Sequence, residues 1–156
     1  MNAYFLDSSA LVKRYVAETG SAWIQSIAAP AARNPLLIAR ITWIEVLSAL
    51  TRRQREGGLS PSNVEKAIQT FRYDMDTQYQ VVELDRTLAE SAGQLVRKHF
   101  VRAYDAVQLA SMLQVQMAFA RTRTTSLTFV TADERLTAIA HAEGMLTDNP
   151  IRHPRM

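Results

Sequence analysis

Cysteine is absent from the 156 residues. That excludes disulfides and thiolate zinc sites, and a reducing cytoplasm is the compartment to expect. Long apolar runs are missing too. The longest stretch, Leu36 to Leu50, is broken by Arg40 and Glu45, so no membrane-spanning helix is expected. Met1-Asn2-Ala3-Tyr4 lacks the basic stretch and long apolar run of a signal peptide. Repeats, low-complexity segments and interdomain linkers are also missing. Hydrophobic residues make up 47% and charged residues 21%, which fits one ordinary globular domain with a core of its own. That domain is expected over residues 1–150, followed by a short polar tail at 151–156.

Lysine is scarce among the 18 basic residues, 15 of which are arginine. Guanidinium forks onto phosphate oxygens in two-point contacts, so the bias favours phosphate-bearing partners. If four of the 15 acids sit on a metal, 11 remain against 18 basic residues. Such a surface attracts a polyanion. A pI near 9.5 alone is weak evidence, because many basic proteins bind no nucleic acid.

Apolar runs and helical periodicity alternate along the chain. Ala3–Leu6, Leu36–Ala39, Tyr79–Leu84, Ser126–Val130 and Met145–Thr147 read as strands. Helices are expected over Ala10–Ala17, Ser21–Ala28, Thr42 to about Glu56, Pro61 to about Asp76, Asp85–Lys98, Ala103–Ala120 and Ala132–Glu143. Gly20, Gly57-Gly58 and Gly144 stop three of them, and Pro61 opens one. The alternation predicts an α/β fold: a parallel sheet of four to five strands with helices on both faces. Ligands of such sheets sit beyond the carboxyl ends of the strands, so chemistry is to be sought there.

Four carboxylates fall in suitable places, and each has a plainer reading. Asp7 follows the first strand and could simply cap a helix. Glu45 has Ile41, Thr42, Ser48 and Ala49 three and four residues away, so its helix face is not obviously solvated. An ion pair with a distant arginine is the plain alternative. Asp105 lies in the first turn of an apolar helix, where the dipole alone favours an acid. Asp133 sits in Thr131-Ala132-Asp133-Glu134, which is also a capping box with Thr131 as cap. Asp85 is the control, an acid after a strand with no role beyond capping. Taken together, two acids at strand ends and two on helices can face one another. Crowded carboxylates raise one another's pKa unless a cation is present, and hard divalent metals answer that need.

The same residues carry a family resemblance. Asp7-Ser8-Ser9-Ala10-Leu11-Val12-Lys13 resembles the first acidic motif of PIN domains, and Glu45 in Ile44-Glu45-Val46 resembles the second. Arg102-Ala103-Tyr104-Asp105-Ala106-Val107-Gln108-Leu109-Ala110 resembles the third, and Phe129-Val130-Thr131-Ala132-Asp133-Glu134-Arg135-Leu136 the fourth. The matches come in family order and span nearly the whole chain. The most similar subgroup is the VapC-type toxin of bacterial toxin–antitoxin pairs. Two departures stand out: Gln108, where many relatives carry histidine, and the longer, more basic segment Arg121-Thr122-Arg123-Thr124-Thr125.

The resemblance implies a Mg²⁺- or Mn²⁺-dependent endoribonuclease, cytoplasmic, homodimeric and silenced by a small VapB-like antitoxin. Asp7 and Asp105 would be the principal metal ligands, with Glu45 and Asp133 completing the set directly or through water. Glu45 is the candidate to orient or deprotonate the attacking water, and Thr131 and Ser8 would support the site. In-line hydrolysis would leave 5′-phosphate and 3′-hydroxyl ends. Lys13, Arg14, Arg52 and Arg102 are the main candidates for RNA phosphates, joined by Arg53, Arg55, Arg97 and Lys98. A solvated helix end explains Arg52, Arg53 and Arg55 equally simply. His99 and His141 read as surface or packing residues, and His153 as part of the tail. Trp23 and Trp43 read as core, while Tyr104 could stack on a base.

Rival readings lack parts. An aspartyl phosphatase needs a second Asp at position 9, where Ser9 stands. A receiver domain needs a late lysine, but the last is Lys98. There is no G-x-G-x-x-G and no G-K-[ST] phosphate loop. Two alternatives survive: a housekeeping RNA-processing nuclease without an antitoxin, and a catalytically silent scaffold of the same fold.

Overall fold

The structure is a computed structural model that describes residues 2–122 and 125–154. Arg123 and Thr124 of the basic segment, and Arg155 and Met156 of the expected tail, lie outside the described residues. Five strands form one sheet: β1 (Asn2–Leu6), β2 (Leu36–Ala39), β3 (Tyr79–Val82), β4 (Ser126–Val130) and β5 (Leu146–Asp148). Their order is β3-β2-β1-β4-β5, and every neighbouring pair is parallel. The connecting helices are α1 (Ser8–Tyr15), α2 (Ser21–Ala28), α3 (Thr42–Arg55), α4 (Pro61–Thr77), α5 (Arg86–Lys98), α6 (Ala103–Ala120) and α7 (Glu134–Ala142). Among the described residues no helix is long and apolar enough to cross a membrane.

Strand side chains alternate between two cores, as a buried parallel sheet requires. Phe5, Leu37, Ala39, Leu127 and Phe129 pack with α5, α6 and α7 through Leu88, Leu109 and Leu136. Leu6, Leu36, Ile38 and Val130 point the other way, onto Leu11, Ile24, Val46, Leu50 and Phe71 of α1 to α4. The expected layering, helices on both faces of a parallel sheet, is therefore the one that forms. Trp23 and Trp43 both join the second core, Trp23 edge-on to Tyr4 and Trp43 against Phe71.

Several boundaries differ from expectation for local reasons. β3 ends at Val82 and not Leu84, because its partner β2 ends at Ala39 opposite Val82. Glu83 there turns to pair with Arg40. β5 starts at Leu146, one residue late, since Gly144 takes a φ of 80° and Met145 is drawn into the core. The expected capping box at α7 does not form. Asp133 is the cap, accepting from the Arg135 amide at 2.9 Å, and Glu134 accepts instead from Asn149 Nδ2. Asp85 caps α5 as expected, accepting from Leu88 N at 2.8 Å.

The chain after Asn149 is tied to the domain. Residues Pro150–Arg152 form a 3₁₀ turn, and the His153 ring stacks on Trp23 at 4.2 Å between centroids. The polar tail expected from residue 151 is thus anchored through His153, for which no role was foreseen. Gly20 makes the close approach possible. With φ at 90°, it carries no Cβ that would otherwise sit 2.5 Å from the Pro150 carbonyl oxygen.

Candidate active site

The chain leaves β1 toward one side of the sheet and returns through β4 on the other, so the order reverses between β1 and β4. Such a switch point opens a crevice at the strands' carboxyl ends. Asp7 ends β1 there, and its amide donates to the Val130 carbonyl at 3.1 Å. Thr131 stands beside it at the end of β4. Asp7 is 3% exposed and also caps α1, its Oδ1 accepting from the Ala10 amide at 2.9 Å and from Ser9 Oγ at 2.7 Å. The plain reading of Asp7 as a cap is thus correct. Burial pushes its pKa up to about 6, against the hydroxyls of Thr131 and Ser9 and the Ala10 amide; the Glu45 charge adds to the rise.

Ser9 laces the two strand ends together. Besides bonding Asp7, it lies 3.3 Å from Thr131 Oγ1 and accepts from the Ala132 amide at 2.9 Å. Thr131, fully buried, accepts from the Asp133 amide at 3.1 Å. Thr131 therefore fixes the turn that presents Asp133.

Glu45 stands in the first turn of α3, half-buried. Its Oε1 accepts from Gln108 Nε2 at 2.7 Å, and the same nitrogen donates to Thr42 Oγ1 at 2.8 Å. Burial raises the Glu45 pKa, hydrogen bonds from Gln108 and Ser8 oppose the rise, and the Asp105 charge adds to it. The distant arginine partner considered for Glu45 is not what holds it; an amide is. Gln108 is 1% exposed, and its Oε1 has no hydrogen-bond partner among the described residues. Ser9 and Gln108 were both missed as site residues. Gln108 carried a signal, since it lies three residues after Asp105 on one helix face.

Asp105 lies in the first turn of α6, half-buried. Burial raises its pKa, then the Asp133 charge does, while Arg102 and Arg135 pull it down. The four acids thus repel in sequence, Asp7 with Glu45, Glu45 with Asp105, and Asp105 with Asp133. Among the described residues no three His, Asp or Glu side chains stand close enough to enclose a metal between them. A closed cage of four carboxylates is not what the arrangement offers. It does fit Mg²⁺ or Mn²⁺ held by one or two hard oxygen donors, with water completing the octahedron. Asp7, Glu45, Asp105 and Asp133 are the side chains that could hold it.

Two larger clefts flank the acids, beside a smaller one of about 320 Å³ bordered by Glu45, Tyr104 and Asp105. One, of about 510 Å³, is bordered by Ser8, Ser9, Lys13, Glu45, Arg52 and Arg53. The other, of about 380 Å³, is bordered by Arg102, Asp105, Asp133 and Arg135 over an apolar wall. Arg52 and Arg102 are exposed at these rims. Lys13 is buried and pairs with Glu18 at 3.1 Å, which also holds Arg53 at 3.1 Å. Arg14 does not join the clefts. It donates to Tyr79 Oη at 2.6 Å and lies 3.5 Å from Asp74, inside a network with Tyr15. Tyr104 is exposed between Glu45 and Asp105. His99 bonds Glu143 at 2.6 Å, and His141 bonds Thr147 at 2.6 Å.

Comparison with known proteins bears on this arrangement. The model of the family described as PIN domain matches residues 4–142. Ribonuclease VapC45 of Mycobacterium tuberculosis (strain CDC 1551 / Oshkosh) is 34% identical over 144 residues, covering 92% of this chain and 93% of that one. Among solved structures, PAE2754 from Pyrobaculum aerophilum superposes with a TM-score of 0.62 at 19% identity, over 94% of this chain and 83% of the other. A toxin–antitoxin complex from Klebsiella pneumoniae gives 0.54 at 20% identity, over 88% and 91%. At these identities the solved structures bear on the fold alone.

Proposed function

The chain belongs to the PIN-domain family, and from that premise we propose that it is a Mg²⁺- or Mn²⁺-dependent endoribonuclease, the toxin of a toxin–antitoxin pair. The observation that carries the reading is the run of mutually repelling carboxylates at the switch point, with Asp7 buried at a pKa of about 6. Burying acids side by side opposes folding, and a divalent cation makes the arrangement favourable. A bound cation supplies charge neutralisation for the acids and a polarised water for attack on phosphorus.

The chain's own residues do the rest. Asp7, locked by Ser9 and Ala10, and Asp105, on the opposite helix, offer oxygens on two sides of the crevice. Asp133 is held at its turn by the Thr131 hydroxyl. Glu45, gripped at Oε1 by Gln108 and bonded by the Ser8 hydroxyl, is the carboxylate to orient water or accept its proton. Arg102 and Arg52 at the rims pair with backbone phosphates and fix register without reading sequence. In-line attack then yields 5′-phosphate and 3′-hydroxyl ends.

The name of VapC45 supports an RNA substrate, and the likeness in fold to a toxin of the Klebsiella toxin–antitoxin complex is the ground for proposing an antitoxin as partner. We carry the homodimer and a cytoplasmic setting as parts of the same reading. The test is incubation of purified protein with cellular RNA in Mn²⁺ or EDTA, beside Asp7→Asn, Asp105→Asn protein. Discrete cleavage that needs Mn²⁺ and is lost in the variant supports the nuclease. Equal behaviour of the two proteins refutes it. For the toxin role, expression of wild type but not the variant should arrest growth, and co-expression of a cognate antitoxin should restore it.

A further inference from the structure

We infer that the 380 Å³ cleft beside Asp105 and Asp133 seats one unpaired nucleobase of the RNA, stacked on Phe100, next to the phosphate to be cut. The inference rests on the nuclease reading and adds a subsite to it.

Phe100 lies in the short connection between α5 and α6 and is fully exposed. An aromatic ring left wholly in water at the mouth of a cleft forgoes burial that the core would have given it. The wall behind it is apolar: Val96, Val101, Leu136 and Ile139. The rim is charged, with Arg102 and Arg135 next to the two acids. An apolar slot of this size falls at the small end of ligand pockets, roughly 300–1,000 Å³. That is the class of a single heterocycle with its sugar.

The mixture of surfaces selects the occupant. A nucleotide joins a flat apolar ring to an anion, and the cleft joins an apolar wall with an aromatic to two guanidinium groups. Arg135 already pairs with Asp133 at 3.8 Å, while Arg102 is exposed at the rim, and a lipid or a purely apolar side chain would make no use of its guanidinium. The base must be unpaired, because a ring within a duplex presents no free face. The second cleft, bordered by Glu45, has an exposed aromatic of its own in Tyr104, but that ring stands among Ser8, Ser9, Lys13, Ser48 and Arg52, so the second cleft is the more polar of the two and suits backbone. Backbone on that side and a base on this side would place the intervening phosphate over the acids.

The test uses the full-length protein and the RNA fragment found to be cut, with wild type, Phe100→Ala, Phe100→Leu and Phe100→Trp. The ring is fully exposed, so each variant should fold as wild type does. Loss of one base–aromatic stack corresponds to a KM about 5- to 160-fold higher for Phe100→Ala, with kcat largely kept. Phe100→Trp should restore KM, and Phe100→Leu should not, because leucine keeps apolar bulk without a stacking face. Binding of a non-cleavable 2′-O-methyl strand, followed by anisotropy in EDTA, should rank the variants identically, and the matching duplex should not distinguish them. Unchanged kinetics in Phe100→Ala beside active wild type overturns the subsite and leaves the nuclease standing. Leucine performing as well as phenylalanine, or a defect confined to antitoxin binding, overturns it in favour of a protein anchor. Wild type that neither binds nor cuts RNA overturns the subsite and the nuclease reading together.

Discussion

Replacing Asp7 by asparagine removes one charge and little else. The side chain keeps its volume, an amide oxygen can accept from Ala10 N and Ser9 Oγ as the carboxylate does, and the amide nitrogen can donate to the Thr131 hydroxyl that bonds the carboxylate. Removing the charge should stabilise the metal-free protein. Burial lifts the Asp7 pKa from 3.8 to about 6, and a tenfold change in proton affinity is worth ~1.4 kcal/mol. Keeping the carboxylate ionised in the fold at pH 7.5 therefore opposes stability by about 3 kcal/mol. The sign follows from proton linkage. Between pH ~4 and ~6 the folded protein holds a proton that the unfolded chain has released, so stability falls as pH rises through that window. Below ~4 both states are protonated and the penalty is absent. Above ~6 it is complete.

Thermal unfolding in EDTA at pH 7.5 should therefore show Asp7→Asn melting higher than wild type, by about 6–12 °C for a domain of this size. At pH 4.5 the gap should largely close. Mn²⁺ at 100 times its Kd should return ~2.7 kcal/mol to wild type, nearly cancelling the variant's advantage, and much less to the variant. A variant that melts lower than wild type in EDTA, or a gap independent of pH, refutes the claim that Asp7 is held against its charge.

Other substitutions separate the site from its scaffold. Gln108→Met removes both donors from Glu45 and Thr42 at similar volume and should lower Mn²⁺ affinity or cleavage about 10- to 100-fold in titration and rate assays. Gln108→His, which retains a donor, should keep most of the activity. Arg102→Gln should weaken single-stranded RNA binding and flatten its logarithmic salt dependence by roughly 0.7, the slope assigned to one phosphate. Asp74→Ala should cost about 3–5 kcal/mol in chemical denaturation, because the largely buried Arg14 loses its ionic partner; Mn²⁺ stabilisation should be unaffected. Gly20→Ala should cost ~2–4 kcal/mol by the same assay, since the added methyl meets the Pro150 carbonyl at a positive φ.

How far the chain could be read depended on whether a feature was local. β2, β4 and α6 begin and end where apolar pattern and punctuation put them, because their signals lie within each segment. The end of β3 depends on how far β2 runs beside it, so no inspection of Tyr79–Leu84 alone finds it. That the four acids face one another was legible because two stand at strand ends and two in helix first turns, each inside a stretch that resembles a family motif. Arg14 shows the opposite limit. Its sequence neighbours suggest an exposed cation, yet Asp74 and Tyr79 reach it from α4 and β3 and enclose it. His153 is similar, a polar residue near the end of the chain that a distant tryptophan recruits.

Capping and catalysis were set against each other as readings of Asp7 and Asp133, and the cap geometry is compatible with both. A cap fixes its side chain to within one hydrogen bond of the helix N-terminus, which is the rigidity a metal-binding oxygen needs. Asp7 holds Ala10 N with Oδ1, and Asp133 holds Arg135 N with its own Oδ1. Each retains a second oxygen, Oδ2, that capping does not consume. The helix dipoles of α1 and α7 favour negative charge at these same points and offset part of the repulsion among the acids. Asp85 has the same cap geometry on α5, but β3 lies at the edge of the sheet, away from the reversal between β1 and β4. Topology, and not the capping residue itself, therefore separates Asp85 from the two aspartates at the crevice where the proposed chemistry would take place.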